Sequence, residues 1–276
     1  MENFLYRKLN SLKKIISDFK SVLVAYSGGV DSTFLLKVCK DVLNNNVLAV
    51  IAISPAYSED EIKFARRMAK IIGVKYLLIE TDELKNKDFC KNTPFRCYYC
   101  KKELFSKLKK IAEENNIEYV IEGTNYDDLK DFRPGLNAIK ELGIRSPLLE
   151  AKLRKKEIRE LSKYFSLPTY DKPSYACLSS RFPYYEEITE DKLKMIDEAE
   201  RFLKRCGFSQ VRVRYYKNIC RIEVEKKELN LFLEENFRKK IVKKFKDLGF
   251  IYITLDLEGY RSGSMNEELR KEGENL

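Results

Sequence analysis

The 276-residue sequence contains no histidine. That absence removes imidazole acid–base catalysis, Ser-His and Cys-His nucleophile pairs, and every zinc site that needs an imidazole ligand. Also missing is the GxxxxGK[ST] loop with its lysine, so γ-phosphoryl transfer is not the expected chemistry. No run approaches the ~18 consecutive apolar residues of a membrane span. The opening MENFLYRKLNSLKK has no apolar signal-peptide core, so a cytoplasmic location without a membrane partner is expected. Internal repeats are absent, and the one low-complexity stretch is the polar tail 266–276, which is expected to fray.

What is present begins with charge and sulfur. Lys and Arg number 53 against 43 Asp and Glu, a net charge of +10 that suits phosphorylated ligands or RNA without choosing between them. Seven cysteines form an odd count, and in a cytosolic chain they read as metal-binding or reactive thiols rather than a disulfide framework.

Ser27-Gly28-Gly29-Val30-Asp31-Ser32 joins an apolar run at 22–26 to a helical pattern opening near Thr33. Two adjacent glycines let the backbone approach an anion closely, and the helix N-terminus behind them offers N–H groups and partial positive charge. SGGVDS resembles the PP-loop of the ATP pyrophosphatase superfamily, whose members split ATP between the α and β phosphates. The alternative is a turn that merely links strand to helix.

Strand patterns recur at 47–53, 75–79 and 119–121, separated by helical patterns at 59–72 and 101–115 and preceded by an amphipathic segment at 4–19. The alternation predicts an α/β domain on a parallel sheet. Ser58 and Glu61 form a capping-box signature, and Gly73 is a helix stop. Ligands of such sheets sit beyond the carboxyl ends of the strands, where SGGVDS, Ser54-Pro55-Ala56 and Glu122-Gly123-Thr124-Asn125 fall. After about residue 185 the pattern becomes a helix at 189–206, strands at 210–215, 219–224 and 250–255, and two charged helical stretches. Two domains are therefore expected, a PP-loop domain at 1–185 and a smaller α+β domain at 186–276.

Cys97-Tyr98-Tyr99-Cys100 is read as lying in a proline-containing loop just before a helix, where Arg96, Lys101, Lys102 and the helix end favour thiolates. The pair alone is equally compatible with zinc, an iron–sulfur cluster or redox exchange. Cys177 lies in a polar, basic loop and is expected to be accessible. Cys39, Cys90, Cys206 and Cys220 read as small hydrophobes. Three candidate thiolates can hold a 4Fe-4S cluster with one iron open, whereas four would favour closed zinc. Arg212 and Arg214 alternate with Val211 and Val213, so they share a strand face. With Arg181 they can clamp a phosphate, or they are a solvated face. Glu223 and Glu225 share a face of the next strand, with Glu223 a candidate ion-pair partner.

SGGVDS, RCYYCKKELF, EGTNYDDLKDFRPG, RSPLLEAKLRKKEIRELS, LPTYDKPSYACLSSRF, QVRVRYY and LDLEGYRSGSMN together resemble the LarE family of ATP-dependent sulfur transferases. The resemblance implies adenylation of the carboxylates of pyridinium-3,5-biscarboxylic acid mononucleotide and their conversion to thiocarboxylates for the nickel-pincer cofactor of lactate racemase. It implies that Ser27, Gly28, Gly29, Val30, Asp31 and Ser32 hold ATP, with Asp31 contacting Mg²⁺. Arg181, Arg212 and Arg214 would anchor the substrate phosphate, and Glu223 would touch metal or substrate. The family has two forms. In one, the cysteine matching Cys177 surrenders its own sulfur; in the other, that cysteine and a CxxC pair hold a 4Fe-4S cluster that carries sulfide. Cys97, Cys100 and Cys177 match the second. The partners implied are a small nucleotide, sulfide or another sulfur donor, and no nucleic acid; a homo-oligomer is expected. Rival readings are a PP-loop tRNA thiolation enzyme, an amide-forming synthetase using the same adenylation step, and a nonenzymatic iron–sulfur or zinc scaffold.

Overall fold

A computed structural model describes residues 3–130, 133–261 and 263–267. Most of the tail expected to fray lies outside the described residues. The chain forms two compact units, one of Met1–Phe89 with Pro94–Tyr175 and one of Cys90–Thr93 with Ala176–Leu276.

The first unit contains α1 (Asn3–Ser17), β1 (Val22–Ala25), α2 (Val30–Leu43), β2 (Val47–Ile53), α3 (Glu59–Ile72) and β3 (Lys75–Glu80). These are followed by α4 (Lys87–Cys90), α5 (Arg96–Glu114), β4 (Tyr119–Ile121), α6 (Gly135–Glu141), α7 (Pro147–Glu150) and α8 (Lys155–Tyr164). The strands form a sheet of order β3-β2-β1-β4, every pair parallel. Sheets of this kind are covered on both faces, which explains the unbroken apolar runs of β1 and β2. Val22 and Val24 join one core with Leu35, Met68 and Leu161, while Leu23 joins another with Phe105 and Leu108.

The sequence signals at α3 divide. Gly73 ends the helix in the left-handed region, at φ 76°, as a glycine stop should. Ser58 is the N-cap residue, yet its hydroxyl caps nothing, so the expected capping box does not form. Glu61 is turned instead toward Lys172, 2.7 Å away. A second difference concerns α5, which begins at Arg96 and takes Cys97 and Cys100 into the helix rather than leaving them in a preceding loop.

The second unit contains α9 (Glu190–Arg205), β5 (Val211–Tyr216), β6 (Ile219–Val224), α10 (Glu235–Asp247) and β7 (Tyr252–Leu255). Thr189 caps α9 by accepting a bond from the Lys192 N–H. β5 pairs with β6 antiparallel and β6 with β7 parallel, an α+β arrangement with Leu193, Ile196 and Leu203 of α9 buried. Among the described residues no helix is long and apolar enough to cross a membrane.

Candidate active site

The SGGVDS turn leaves the carboxyl end of β1 and enters α2 at Gly29. Gly28 has φ +71°, and a Cβ there would lie 2.8 Å from that of Ala65, so the turn closes only around glycine. Ser27 and Ser32 face each other across it, hydroxyl to hydroxyl at 3.0 Å. From the end of β4, Gly123 approaches so closely that a Cβ would meet the Ser32 backbone at 3.1 Å. Two strand ends therefore converge on one helix N-terminus, an arrangement suited to an anion.

Charged side chains from distant parts of the sequence surround this turn. Lys155, the first residue of α8, donates to Asp31 Oδ2 at 2.5 Å, and its own N–H donates to Asp127 Oδ2 at 3.0 Å. Asp31 Oδ1 is buried and has no hydrogen-bond partner among the described residues. A buried carboxylate oxygen left without a partner is costly unless a ligand or ion completes it, which fits Mg²⁺. Nearby Asp128 is held above the usual carboxylate range, first by burial and also by the charge of Asp31, although its bond from the Asn125 N–H and the cations Arg133 and Lys155 oppose this. Lys172 donates to the Gly28 carbonyl at 3.1 Å and to Glu61, with its ammonium 3.8 Å from the Phe64 ring centre. A lysine is thus delivered to the phosphate turn from 144 residues away.

In the second unit the arginines are not a solvated face. Arg181, Arg212 and Arg214 are 0%, 4% and 5% exposed. Arg214 forks onto Glu223 through Nε and Nη2, at 3.0 and 2.8 Å, and donates from Nη1 to the Ser180 carbonyl. Arg212 lies 5.1 Å from the Tyr260 ring centre and donates to the Val211 carbonyl. Arg181 forks onto Glu200 at 2.8 and 2.9 Å. Glu223 is fully buried and also accepts from Arg221, as its ion-pair reading anticipated. Glu225 has a separate role, in a capping box with Glu228 at the end of β6.

Among the described residues the seven cysteines form no disulfide with one another. Cys39 and Cys220 are sealed in the interior, and burial pushes both thiols up, Cys220 to about 12. Cys97 is exposed, whereas Cys100 is half-buried with its Sγ 3.9 Å from the Tyr57 hydroxyl. Cys177 is half-buried and stands at the N-cap position of the 3-10 turn Leu178–Arg181. Cys90 and Cys206 are half-buried as well, not core residues. Among the described residues no three Cys, Asp or Glu side chains are grouped so as to hold a metal ion.

A family model for NAD synthase matches residues 2–116, the part that carries the phosphate turn. The chain is 38% identical over 265 residues, 96% of its length and 95% of the relative's, to the pyridinium-3,5-bisthiocarboxylic acid mononucleotide synthase of Lactiplantibacillus plantarum. The chain belongs to the LarE family. Two other relatives of this LarE-type chain span it almost entirely. Protein slr1717 of Synechocystis is 45% identical over 96% of the chain and 98% of its own length, and protein MJ0830 of Methanocaldococcus jannaschii is 38% identical over 92% and 95%. The protein is therefore an ATP-dependent enzyme of the AMP- and pyrophosphate-forming PP-loop class.

Sequence reasoning missed Lys155 and Lys172 at the phosphate turn of the first unit and, separately, Glu200 in the second unit. Lys155 and Lys172 look like ordinary solvated helix and loop cations in a chain with 53 basic residues. Glu200 carries one usable signal, an acidic residue on the buried face of amphipathic α9 between Ile196 and Leu203.

Proposed function

We propose that this enzyme adenylates the carboxylates of pyridinium-3,5-biscarboxylic acid mononucleotide and converts them to thiocarboxylates, a step toward the nickel-pincer nucleotide. The observation that carries the reading is the near-full-length similarity to a synthase named for that product. The geometry of the phosphate turn supports it. ATP phosphates would lie on Ser27 to Ser32 at the α2 N-terminus, with Mg²⁺ completing Asp31 Oδ1 and offsetting charge on pyrophosphate. A substrate carboxylate, already ionised at neutral pH, attacks the α-phosphorus through oxygen; the bond to the bridging oxygen breaks and pyrophosphate leaves. No base is required, consistent with a chain without histidine. Sulfide then adds at the acyl carbon and AMP leaves with the C–O electron pair.

The substrate's phosphate would be anchored by Arg212 and Arg214, buried guanidinium groups that match phosphate oxygens. Glu223 would hold Arg214 in place. Adenylation would belong to residues 1–185 and mononucleotide binding to 186–276. Cys97, Cys100 and Cys177 would hold a 4Fe-4S cluster. Their donor set, three at least partly accessible thiols with no imidazole in the chain, suits such a cluster. When bound, it supplies an iron without a protein ligand, a place for sulfide. We further propose a cytoplasmic homo-oligomer that takes sulfide or a small sulfur donor and does not act on nucleic acid.

The test is product analysis with ATP and the dicarboxylate mononucleotide. AMP, pyrophosphate and a thiocarboxylate product are expected. ADP with orthophosphate, or no dependence on the mononucleotide, would overturn the reading.

A further inference from the structure

Every nitrogen of Arg181 is engaged inside the second unit. Nε and Nη2 bind the two oxygens of Glu200, and Nη1 reaches the carbonyls of Ala176 at 2.7 Å and Cys177 at 3.0 Å together with Ser180 Oγ at 2.9 Å. Both partners are 0% exposed. The Cys177 carbonyl receives two more bonds, from the Ser180 N–H at 3.0 Å and the Ser180 hydroxyl at 2.8 Å. Glu200 is itself tied to the sheet, accepting the Val213 N–H of β5 at 3.0 Å. An unbroken series thus runs from the β5 backbone through Glu200 and Arg181 to the main chain of Cys177.

Such wiring differs from that of a ligand clamp. A guanidinium that binds a substrate phosphate needs N–H groups open toward the ligand, whereas Arg181 directs Nη1 at three acceptors of its own fold and is 0% exposed, against 4% and 5% for Arg212 and Arg214. We propose that Arg181 and Glu200 are positioning residues for Cys177, fixing the backbone that carries this thiol, and that Arg181 does not bind the substrate phosphate. A lysine in place of Arg181 keeps a positive charge opposite Glu200. Its single ammonium cannot span the carboxylate and two carbonyls at once, so the Cys177 backbone would lose its tether while Glu200 remains paired.

The inference rests on Cys177 being the thiol at which sulfur is handled, and its test has one arm independent of that reading. In cluster-free protein without substrate, the rate of Cys177 alkylation by iodoacetamide is followed by peptide mass spectrometry, with exposed Cys97 of the same chain as reference. Arg181→Lys and Ser180→Ala should each raise the Cys177 rate about fivefold or more through local loosening. In turnover assays Arg181→Lys should lower kcat for sulfur transfer about tenfold to a hundredfold while mononucleotide affinity stays within about twofold. An unchanged Cys177 rate overturns the proposal, and Ser180→Ala alone decides this if Arg181→Lys does not fold. A loss of mononucleotide affinity of about tenfold in Arg181→Lys also overturns it, returning Arg181 to the phosphate site. Parent protein that forms no AMP and pyrophosphate with the mononucleotide would remove the function proposed above and leave the alkylation result standing.

Discussion

The Lys155 ammonium donates to Asp31 Oδ2 at 2.5 Å, joining residues 124 apart in sequence at the edge of the phosphate turn. Both side chains are partly exposed, at 31% and 21%, so the pair contributes only about 0–1 kcal/mol to stability. Its importance is electrostatic and local. The same carboxylate keeps a second oxygen buried, without a hydrogen-bond partner among the described residues.

Asp31→Asn should therefore separate activity from stability. Pyrophosphate release is expected to fall about a hundredfold or more, as for loss of a charge-stabilising group, while the melting temperature barely moves. Undiminished pyrophosphate release would remove Asp31 from the site.

Gly28→Ala tests the turn itself. An alanine at φ +71° whose Cβ would sit 2.8 Å from Ala65 forces the turn away from α3, at a cost of about 1–3 kcal/mol. ATP affinity measured by calorimetry should drop sharply. Gly73→Ala, also at positive φ but with no atom near the added Cβ, should lower stability alone.

Arg212→Ala should weaken mononucleotide binding by about 1.5–3 kcal/mol, the loss of a charge-assisted bond, and leave ATP binding unchanged. Titrations showing equal mononucleotide affinity in variant and parent would assign Arg212 to packing against Tyr260.

Acid should unfold the second unit through Glu200. Burial raises this carboxyl, but the charge and bonds of Arg181, the charge of Arg212 and the Val213 N–H outweigh it and bring Glu200 to about 2 from an ordinary 4.5. A depressed carboxylate stabilises fully above its unfolded value and loses that contribution as pH falls toward its folded one. Urea midpoints should thus decline between about pH 4.5 and 2. Glu200→Ala, which strands a buried guanidinium, should cost about 3–5 kcal/mol at neutral pH.

The thiols should sort by burial. Iodoacetamide is expected to modify Cys97 first and to spare Cys39 and Cys220, whose pKa values burial raises. In anaerobically reconstituted protein, alanine at Cys97, Cys100 or Cys177 should each reduce bound iron and sulfide, and Cys206→Ala should not. A loss of about 34 Da at Cys177 after turnover, the mass of H₂S, would show instead that the protein consumes its own cysteine.

Much of this molecule was legible along the chain because the signals are local. Apolar runs long enough for strands, the glycine pair of SGGVDS and the period of α9 report on neighbours a few residues away, so the parallel sheet and the phosphate turn follow from short windows. Even the glycine stop at Gly73 needs only its own backbone angle.

Ionic partnerships are not local, and tertiary structure alone decided them. Alternation at Arg212 and Arg214 shows that the two share a face but not whether water or protein covers it; the fold buries both, and Arg214 is buried against Glu223. Ser58 and Glu61 carry a capping signature, yet a lysine 111 residues away takes the glutamate. Lys155 and Lys172 carry no local mark of their roles, and the place of Glu200 on the buried face of α9 does not name its partner, because what a charged side chain does depends on the partner and the burial that folding supplies. The sequence by itself determined the backbone scaffold and the anion-binding turn. Which charges face that turn, and which carboxylate Arg181 pairs with, required chain segments more than a hundred residues apart, or helix and loop, to meet in space.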